Sequence, residues 1–289
     1  MPEDPTPRSD AAAFHAHSHG GIAFTGERVV PDEPGWEWCF EAHRFGYDDL
    51  IARLPGGARV LDVGCGEGYG TASIAEHAGF TVGCDASAEA VKHARDKYGT
   101  DQLAWVVCDA QALPFADDAF DVVASLQVIE HFTDTDAHLS GVARILRADG
   151  FHYCATPNIA LATPEEADNE FHLRDFDAPQ LEAAMRKHFG SVELLGQFYR
   201  EDSPRVKAMR AAEATADRDA AKTARLERIL SGLPGPLRVR ARPALRRMLG
   251  LPAQDAATVR NQIIAEDFEM RAPASESFCL FAIARKPHA

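Results

Sequence analysis

The sequence predicts an α/β protein with a doubly wound sheet of seven strands, the last of them antiparallel. Two observations carry this prediction. An apolar strand runs directly into a glycine-rich turn and a helix, and three successive strands each end in an aspartate. Because the strands of an open parallel sheet end at one crevice, where ligands bind, we expect the three carboxylates to lie close together.

The glycine-rich turn lies in residues 60–70, which read Val-Leu-Asp-Val-Gly-Cys-Gly-Glu-Gly-Tyr-Gly. Alternate glycines let the backbone bend sharply and approach a ligand, because they tolerate positive φ and carry no Cβ. The first amides of the following helix, from Tyr69 to about Ala78, favour a carboxylate or phosphate. Asp62 at the strand tip suits an ammonium group and repels a pyrophosphate. Tyr69 also stands where the dinucleotide fingerprint needs its third glycine, which argues against an NAD-type oxidoreductase.

Two further acids follow along the chain. The strand over 81–85 ends in Asp85, 21 residues after Gly64, where a doubly wound fold holds a ribose diol. A third strand over 103–108 ends in Asp109. The alternative for each aspartate is that it only caps the helix or turn behind it. Their shared position at three strand tips favours a binding crevice.

The stretch from Arg59 to about Pro157 resembles the class I S-adenosylmethionine-dependent methyltransferases and their Rossmann-like core. The resemblance implies that the glycine turn holds the methionine part of S-adenosylmethionine, that the later acids bind its ribose and adenine, and that S-adenosylhomocysteine is the product. Arg44, in a helix predicted over 40–54, is a candidate for the cofactor carboxylate, with a surface salt bridge as the alternative. The other implied cofactor-binding residues are Asp62, Gly64, Cys65, Gly66, Gly68, Asp85, Ala86, Asp109, Ala110 and Gln127.

The remaining elements complete the sheet and enclose an insertion. Strands are predicted over 120–126, 151–155, 191–199 and 278–284, with a helix over 177–188. The last two strands of the family form a close antiparallel pair, whereas here 78 residues separate them. We expect a mainly helical insertion with one helix over 207–230, interruptions at Pro234, Pro236 and Pro243, and a short helix over 245–249.

The same elements predict the domain organisation. It comprises a disordered tail at 1–21, an N-terminal cap segment at 22–57, the cofactor-binding core at 58–199, the insertion at 200–272 and the closing strand within 273–289.

Composition and charge limit the partners. The 289-residue chain has a net charge of −14, yet residues 200–250 hold 13 Lys and Arg against 6 Asp and Glu, a local charge of +7. The remainder therefore carries −21, which argues against nucleic acid as a partner. No stretch is apolar for long enough to span a membrane, and six cysteines without C-x-x-C spacing indicate a reducing, cytoplasmic location.

Gln127-Val-Ile-Glu-His131 follows the fourth strand, where the family lines the space between cofactor and acceptor. A sulfonium methyl group is already activated, so its transfer needs in-line positioning and an acceptor lone pair. A hydroxyl acceptor also requires a general base. His131, with Glu130 beside it, is the first candidate and His172 the second. The alternative for the Glu-His pair is that it only orders its loop.

No metal centre is predicted. His15, His17 and His19 alternate in the N-terminal tail, but no acid or cysteine ligand accompanies them. Elsewhere the sequence shows no clear cluster of acids and histidines that would require a metal ion. The side chains that would suit one are Asp168, Asn169 and Asp175.

Short motifs outside the core resemble bacterial methyltransferases tied to methylated sugars and polysaccharides. They lie at 25–31, 43–47, 156–158, 171–174 and 267–270. The resemblance implies O-methylation of a small-molecule or oligosaccharide hydroxyl. Two alternatives stay open: methylation of a quinone-type ring or another secondary metabolite at O, N or C, and a cofactor-binding scaffold without turnover. The basic insertion is expected to be a lid, a homodimer contact or, as a lesser alternative, a membrane-docking patch.

Overall fold

The computed structural model describes residues 18–19, 22–23, 28–31, 33–162, 169, 171–251 and 254–286. Most of the predicted tail, including His15 and His17, lies outside the described residues, and so does Asp168. Ser18–His19 pairs antiparallel with Ile22–Ala23. Within the described ranges, no helix has both the length and the hydropathy needed to cross a bilayer.

One mixed sheet forms the centre of the protein. In chain order its strands are β1 (Arg59–Val63), β2 (Phe80–Asp85), β3 (Leu103–Val107), β4 (Phe120–Leu126), β5 (Leu146–Pro157), β6 (Ser191–Tyr199), β7 (Phe268–Arg271) and β8 (Cys279–Arg285). They run across the sheet in the order β3-β2-β1-β4-β5-β8-β6-β7. Strands β1 to β5 are parallel, whereas β8 is antiparallel to both β5 and β6, which confirms the predicted α/β fold with an antiparallel closing strand.

The predicted count of seven strands is wrong, because the sheet has eight. The additional strand is β7, which pairs antiparallel with β6 from Gly196 to Tyr199. It lies at the end of the region predicted as a helical insertion. Four residues are too few to show a clear period of two in the sequence, and β7 forms because it satisfies backbone groups at the edge of β6.

Helices cover both faces of the sheet. Leu61 joins a core with α4 and α5, whereas the preceding Val60 joins a core with α1 and α2, because successive strand residues point to opposite faces. The helices are α1 (Glu37–Ala52), α2 (Tyr69–Ala75), α3 (Ala88–Tyr98), α4 (Thr135–Ile145), α5 (Ala178–Arg186), α6 (Pro204–Arg218), α7 (Ala220–Ser231), α8 (Gly235–Met248) and α9 (Ala256–Arg260).

Helices of the insertion differ from the predicted ones. The single helix over 207–230 is two helices, α6 and α7, because Asp219, with φ of −104° and ψ of 21°, leaves helical geometry. Pro234 caps α8 and Pro236 lies in its first turn, where a backbone N–H has no acceptor within the helix. Pro243 lies inside α8, so the predicted short helix over 245–249 is the end of a 14-residue helix. Packing of Leu245 in a cluster with residues of α7 supports the helix beyond its proline.

Two buried histidines between α4 and β5 affect stability. His138 Nδ1 bonds the carbonyl of Ala110 at 3.0 Å, and His152 Nε2 bonds the hydroxyl of Ser125 at 2.9 Å. The other nitrogen of each ring has no partner in the part of the chain that the structure describes. Burial lowers the pKa of His138 to about 4, and burial together with His138 lowers the pKa of His152 well below its usual value.

The free energy of unfolding is therefore expected to fall as the pH decreases from about 6.5 to 4, because the unfolded chain binds more protons than the folded protein there. His138 alone should account for a loss of about 3 kcal/mol by pH 4. Urea unfolding of wild type and His138→Gln across this range measures the effect. Glutamine keeps a donor for Ala110 but does not titrate, so the variant should show the weaker pH dependence. Exposed His77→Gln is the control, and equal slopes for wild type and His138→Gln would contradict the assignment.

Candidate functional site

The turn after β1 has the backbone conformation that its alternate glycines predict. Gly64, Gly66 and Gly68 have φ of 70°, 53° and 100°. A Cβ on Gly64 would lie 2.6 Å from Val128 Cγ2, and one on Gly68 would lie 2.6 Å from Ala94 Cβ. Larger residues are therefore excluded from the protein side of the turn. Residues 63–67 line a cavity of about 320 Å³, referred to below as the first cavity.

The first cavity brings most of the predicted cofactor-binding residues together. Asp85 at the tip of β2 accepts hydrogen bonds from Gly66 N at 3.0 Å and Ser87 N at 2.8 Å. Asp109, beyond β3, accepts one from Gln111 N at 2.8 Å. Backbone amides thus orient both carboxylates, and each keeps lone pairs for a ligand's hydroxyl or amino groups. The predicted residues that line this cavity are Gly64, Cys65, Gly66, Asp85, Ala86, Asp109, Ala110, Gln127 and His131.

Asp62 and Gly68 support the turn but do not line the cavity. The buried Asp62 accepts hydrogen bonds at Oδ2 from Thr71 Oγ1 at 2.6 Å and from Tyr47 Oη at 3.5 Å. Its Oδ1 has no partner among the described residues. Burial raises the pKa of Asp62 to about 7, against the opposing effect of the two hydrogen bonds. A ligand ammonium group bonded to Oδ1 would favour the charged carboxylate.

Arg44 lies away from the first cavity, so the structure does not support its predicted contact with the cofactor carboxylate. On α1 its guanidinium pairs with Glu41 at 2.8 Å and Asp48 at 3.2 Å, since residues three and four apart share a helix face. It also lies 3.7 Å from Glu266. Arg44 thus forms surface salt bridges, which were the alternative to its role in cofactor binding.

Arg28 supplies the guanidinium that lines the first cavity, and the sequence analysis missed it. Its side chain passes Gly66, where a Cβ would lie 3.4 Å from Arg28 Cγ. The described part of the chain provides no ion pair for it. The sequence contained a signal for this residue, because Arg28 belongs to the N-terminal motif at 25–31. That motif was used only to indicate the acceptor class.

A second cavity, of about 330 Å³, adjoins the first, and both are lined by His43, Leu126 and Gln127. Gln127 has φ of 55°, a strained conformation for a residue other than glycine. Its backbone N donates to Ala155 O at 2.9 Å and its Nε2 donates to Cys279 Sγ at 3.1 Å. Groups bound in the two cavities therefore come closest beside these shared residues.

The wall of the second cavity combines aromatic and polar side chains from distant parts of the chain. Its polar and charged residues include Asn169, His172, Asp175, Gln197, Arg210, Glu213 and Arg260. Its aromatic residues are Trp38, Tyr199, Phe278 and Phe281.

The predicted catalytic residues Glu130, His131 and His172 come together between the two cavities. The imidazole centroids of His131 and His172 are 5.4 Å apart, edge to face. His131 Nδ1 bonds the carbonyl of Phe171 at 2.8 Å, and His172 Nδ1 bonds the carboxylate of Asp175 at 3.0 Å. Both partners are acceptors, so we assign a hydrogen to each Nδ1 and a lone pair to each Nε2. His131 lines the first cavity and His172 the second.

Glu130 is buried and lines neither cavity. Its carboxylate accepts a hydrogen bond from Thr156 Oγ1 at 3.0 Å, and its backbone carbonyl accepts from Leu173 N and Arg174 N. It thereby connects the loop that carries His172 to β5. Burial raises the pKa of Glu130 to about 7. Burial also lowers the pKa of His172, against the raising effect of Asp175.

Glu130, His131 and His172 also offer ligand atoms that lie within 4.8 Å of one another. Two imidazoles and one carboxylate are a donor set suited to a divalent transition metal. The sequence predicted no metal centre and named other side chains. Of those, Asp175 orients His172, and Asn169 accepts a hydrogen bond from Phe171 N at 3.0 Å.

Comparison with known proteins identifies methyltransferases. The profile of a family described as "Methyltransferase domain" matches residues 61–154. A probable S-adenosylmethionine-dependent methyltransferase of Mycobacterium tuberculosis strain H37Rv is 32% identical over 275 residues, which cover 92% of this chain and 90% of that protein. A ubiquinone biosynthesis O-methyltransferase of Rhizobium rhizogenes is 33% identical over 116 residues, or 39% of this chain and 47% of that protein.

A solved structure has the same fold. It is a SAM-dependent methyltransferase from Thermotoga maritima, described as a possible histamine N-methyltransferase, with a TM-score of 0.55 and 16% sequence identity. The match covers 87% of this chain and 94% of that one.

Proposed function

The chain belongs to the S-adenosylmethionine-dependent methyltransferases, and we propose that it methylates a hydroxyl group of a sugar or polysaccharide. Its cofactor is S-adenosylmethionine. The observation that carries the proposal is that two cavities adjoin, and that His131 of the first lies 5.4 Å from His172 of the second, an imidazole oriented by a carboxylate. One cavity has groups suited to the cofactor, which leaves the other for the acceptor.

The first cavity and its surroundings fit the cofactor. Asp62, which supports the glycine turn from behind the cavity, suits the ammonium group as a nearby acid whose Oδ1 lacks a partner in the described chain. Asp85 suits the ribose hydroxyls and Asp109 the adenine amino group, since both are oriented by backbone amides. Arg28, rather than Arg44, suits the carboxylate.

The bound cofactor supplies a methyl group on a positively charged sulfur. We assign the role of general base to His172, whose Nε2 is left as an acceptor because Asp175 holds Nδ1. With the cofactor bound, Nε2 would take the hydroxyl proton as the acceptor oxygen received the methyl group and S-adenosylhomocysteine was released, so no free alkoxide would be required. His131 orients the ring of His172 by edge-to-face packing, and Glu130 holds the loop.

Aromatic and amide side chains of the second cavity support a sugar acceptor. Phe278 and Phe281 add aromatic surface to this wall, while Asn169 and Gln197 are amides able to bond hydroxyls. The same aromatic rings, together with the ubiquinone-pathway relative, favour a quinol ring as the second candidate.

Methyl transfer to a panel of neutral and acidic sugars and a catechol-type quinol analogue tests the acceptor class, with S-adenosylhomocysteine release and the position of the new methyl group as readouts. We expect O-methylated sugar. Dialysis against EDTA should leave the rate unchanged, because an imidazole base needs no ion. Methylation of the quinol analogue alone would contradict the sugar proposal. A rate that EDTA abolishes and Zn²⁺ restores would instead assign Glu130, His131 and His172 to a metal.

Arg28→Ala is expected to weaken S-adenosylhomocysteine binding about tenfold, because it removes a charged hydrogen bond to the carboxylate. It should leave the affinity for 5′-methylthioadenosine unchanged, since that ligand lacks the amino-acid moiety. Calorimetry with both ligands measures the difference. Arg44→Ala is the matched control and should bind both ligands as wild type does. The opposite result, a loss only in Arg44→Ala, would restore the original assignment.

A further inference from the structure

We propose that the acceptor carries an anionic group, a carboxylate or a phosphate, and that Arg210 and Arg260 of the insertion bind it. The inference rests on the proposed function, because it assigns a second part of the acceptor whose hydroxyl is methylated beside His172. It also gives the basic insertion a role at the site. Both arginines line the second cavity.

Each of the two guanidinium groups lies over an aromatic ring of the same cavity. Arg210 Cζ lies 5.2 Å from the ring centroid of Tyr199, and Arg260 Cζ lies 5.5 Å from that of Trp38. Glu213 joins them, because its two carboxylate oxygens accept from Arg260 at 3.1 Å and from Arg210 at 3.3 Å.

Hydrophobic packing holds this wall in place. Arg210 and Glu213 lie on α6 and Arg260 ends α9. The two helices pack together with α1 and β7 through one hydrophobic cluster. Its buried members are Ala42, Val206, Met209, Val259, Ile263 and Phe268. A core thus holds in place the two helices that carry the arginines.

The positive charge of the wall is confined to the side that the insertion forms. The insertion contributes two arginines and one glutamate to the lining, a net charge of +1. Arg210 has a second partner, Glu201, at 3.0 Å, but that acid does not line the cavity. On the other side of the cavity, Asp175 carries a negative charge and is hydrogen-bonded to the neutral His172.

An anion fits the positive side of the cavity without displacing Glu213. A guanidinium has five N–H donors, whereas each arginine uses only one toward Glu213. Two adjacent planar forks can therefore take a carboxylate or phosphate through charge-assisted hydrogen bonds. The rest of the chain, with a charge of −21 outside residues 200–250, repels anions. Local positive charge in the cavity is the feature that an acidic acceptor requires.

Binding of three sugars that share a pyranose ring tests the inference on the protein saturated with S-adenosylhomocysteine. Glucuronate, glucose 6-phosphate and glucose are compared by calorimetry, and the first two distinguish carboxylate from phosphate. We expect an acidic sugar to bind at least about tenfold more tightly than glucose. Arg260→Ala should abolish the difference. Arg228→Ala, which removes an exposed charge from α7 of the same insertion, should preserve it.

Glu213→Gln has an effect of opposite sign. It removes the competing carboxylate, so it should strengthen binding of the acidic sugar about threefold and leave glucose unchanged. A merely structural role for these residues predicts a loss of affinity for every sugar in both variants. Equal affinities of wild type for acidic and neutral sugars would overturn the inference, as would an equal effect of Arg228→Ala.

The outcome separates this inference from the proposed function. Acidic sugars that bind through Arg260 but never accept a methyl group would support the anion site and contradict sugar O-methylation. Methylation of glucose and glucuronate with equal efficiency would support sugar O-methylation and contradict the anion site.

Discussion

His172→Asn is expected to lower kcat about a thousandfold and to leave the affinity for S-adenosylhomocysteine unchanged. The variant removes the Nε2 acceptor on the second cavity, and asparagine retains an N–H group for the Asp175 carboxylate. The hydroxyl proton then has no base, whereas the first cavity is untouched, because His172 does not line it. Single-turnover rates and calorimetry on the same preparations measure the two effects separately.

Three other variants identify the base. Asp175→Asn should have an intermediate effect, because the ring remains but loses the carboxylate that orients it. His131→Asn should reduce kcat less than His172→Asn, since His131 lines the cofactor cavity rather than the acceptor cavity. Exposed His77→Asn is the control for histidine removal. A larger loss in His131→Asn would transfer the role of base to His131, the first candidate of the sequence analysis.

Asp85→Ala is expected to weaken binding of S-adenosylmethionine and S-adenosylhomocysteine at least about a hundredfold. A carboxylate that accepts two ribose hydroxyls contributes about 1.5–3 kcal/mol for each bond. The variant also releases Gly66 N and Ser87 N, the two amides that Asp85 accepts from, so the glycine turn loses its support at β2. The lost bonds to the ribose and the loss of support for the turn both weaken cofactor binding.

Calorimetric titration with both ligands measures this affinity, with NAD as the ligand control and exposed Asp101→Ala as the matched variant. Asp85→Asn separates the two contributions, because its amide oxygen still accepts one backbone N–H but carries no charge. Affinity in Asp85→Ala within threefold of wild type would contradict the ribose assignment. Binding of NAD alone by wild type would contradict the cofactor assignment as well.

The core around the cofactor was predictable because its determinants are local. The strand, the three alternate glycines and the next helix are consecutive in sequence, and positive φ at Gly64, Gly66 and Gly68 follows from residue type. Asp85 and Asp109 were located from strand order alone, because parallel strands end at one edge. The bounds of β1 to β4 and β6 were predicted to within one residue, whereas β5 begins at Leu146 rather than at the predicted residue 151.

Features that depend on packing between distant segments were missed or mistaken. β7 forms only because the edge of β6 is available for pairing, and its four residues are too few to show the alternating pattern of a strand. From the sequence alone, the position of Arg44 is compatible with a helix face directed at the cofactor. The structure shows that Arg44 pairs with Glu41 and Asp48 instead. The break at Asp219 and the continuation of α8 past Pro243 likewise depend on the packing of the insertion.

By itself the sequence determined the α/β core, the glycine turn and the acids at the strand tips, because these depend on residue type and order within short segments. The tertiary structure decided that Arg28 rather than Arg44 lines the first cavity, that His131 and His172 meet although they are 41 positions apart, and that Arg210 and Arg260 line the second cavity. These juxtapositions depend on how loops and inserted helices pack onto the sheet. That packing does not correspond to any periodicity or residue spacing in the sequence, so the sequence does not predict it.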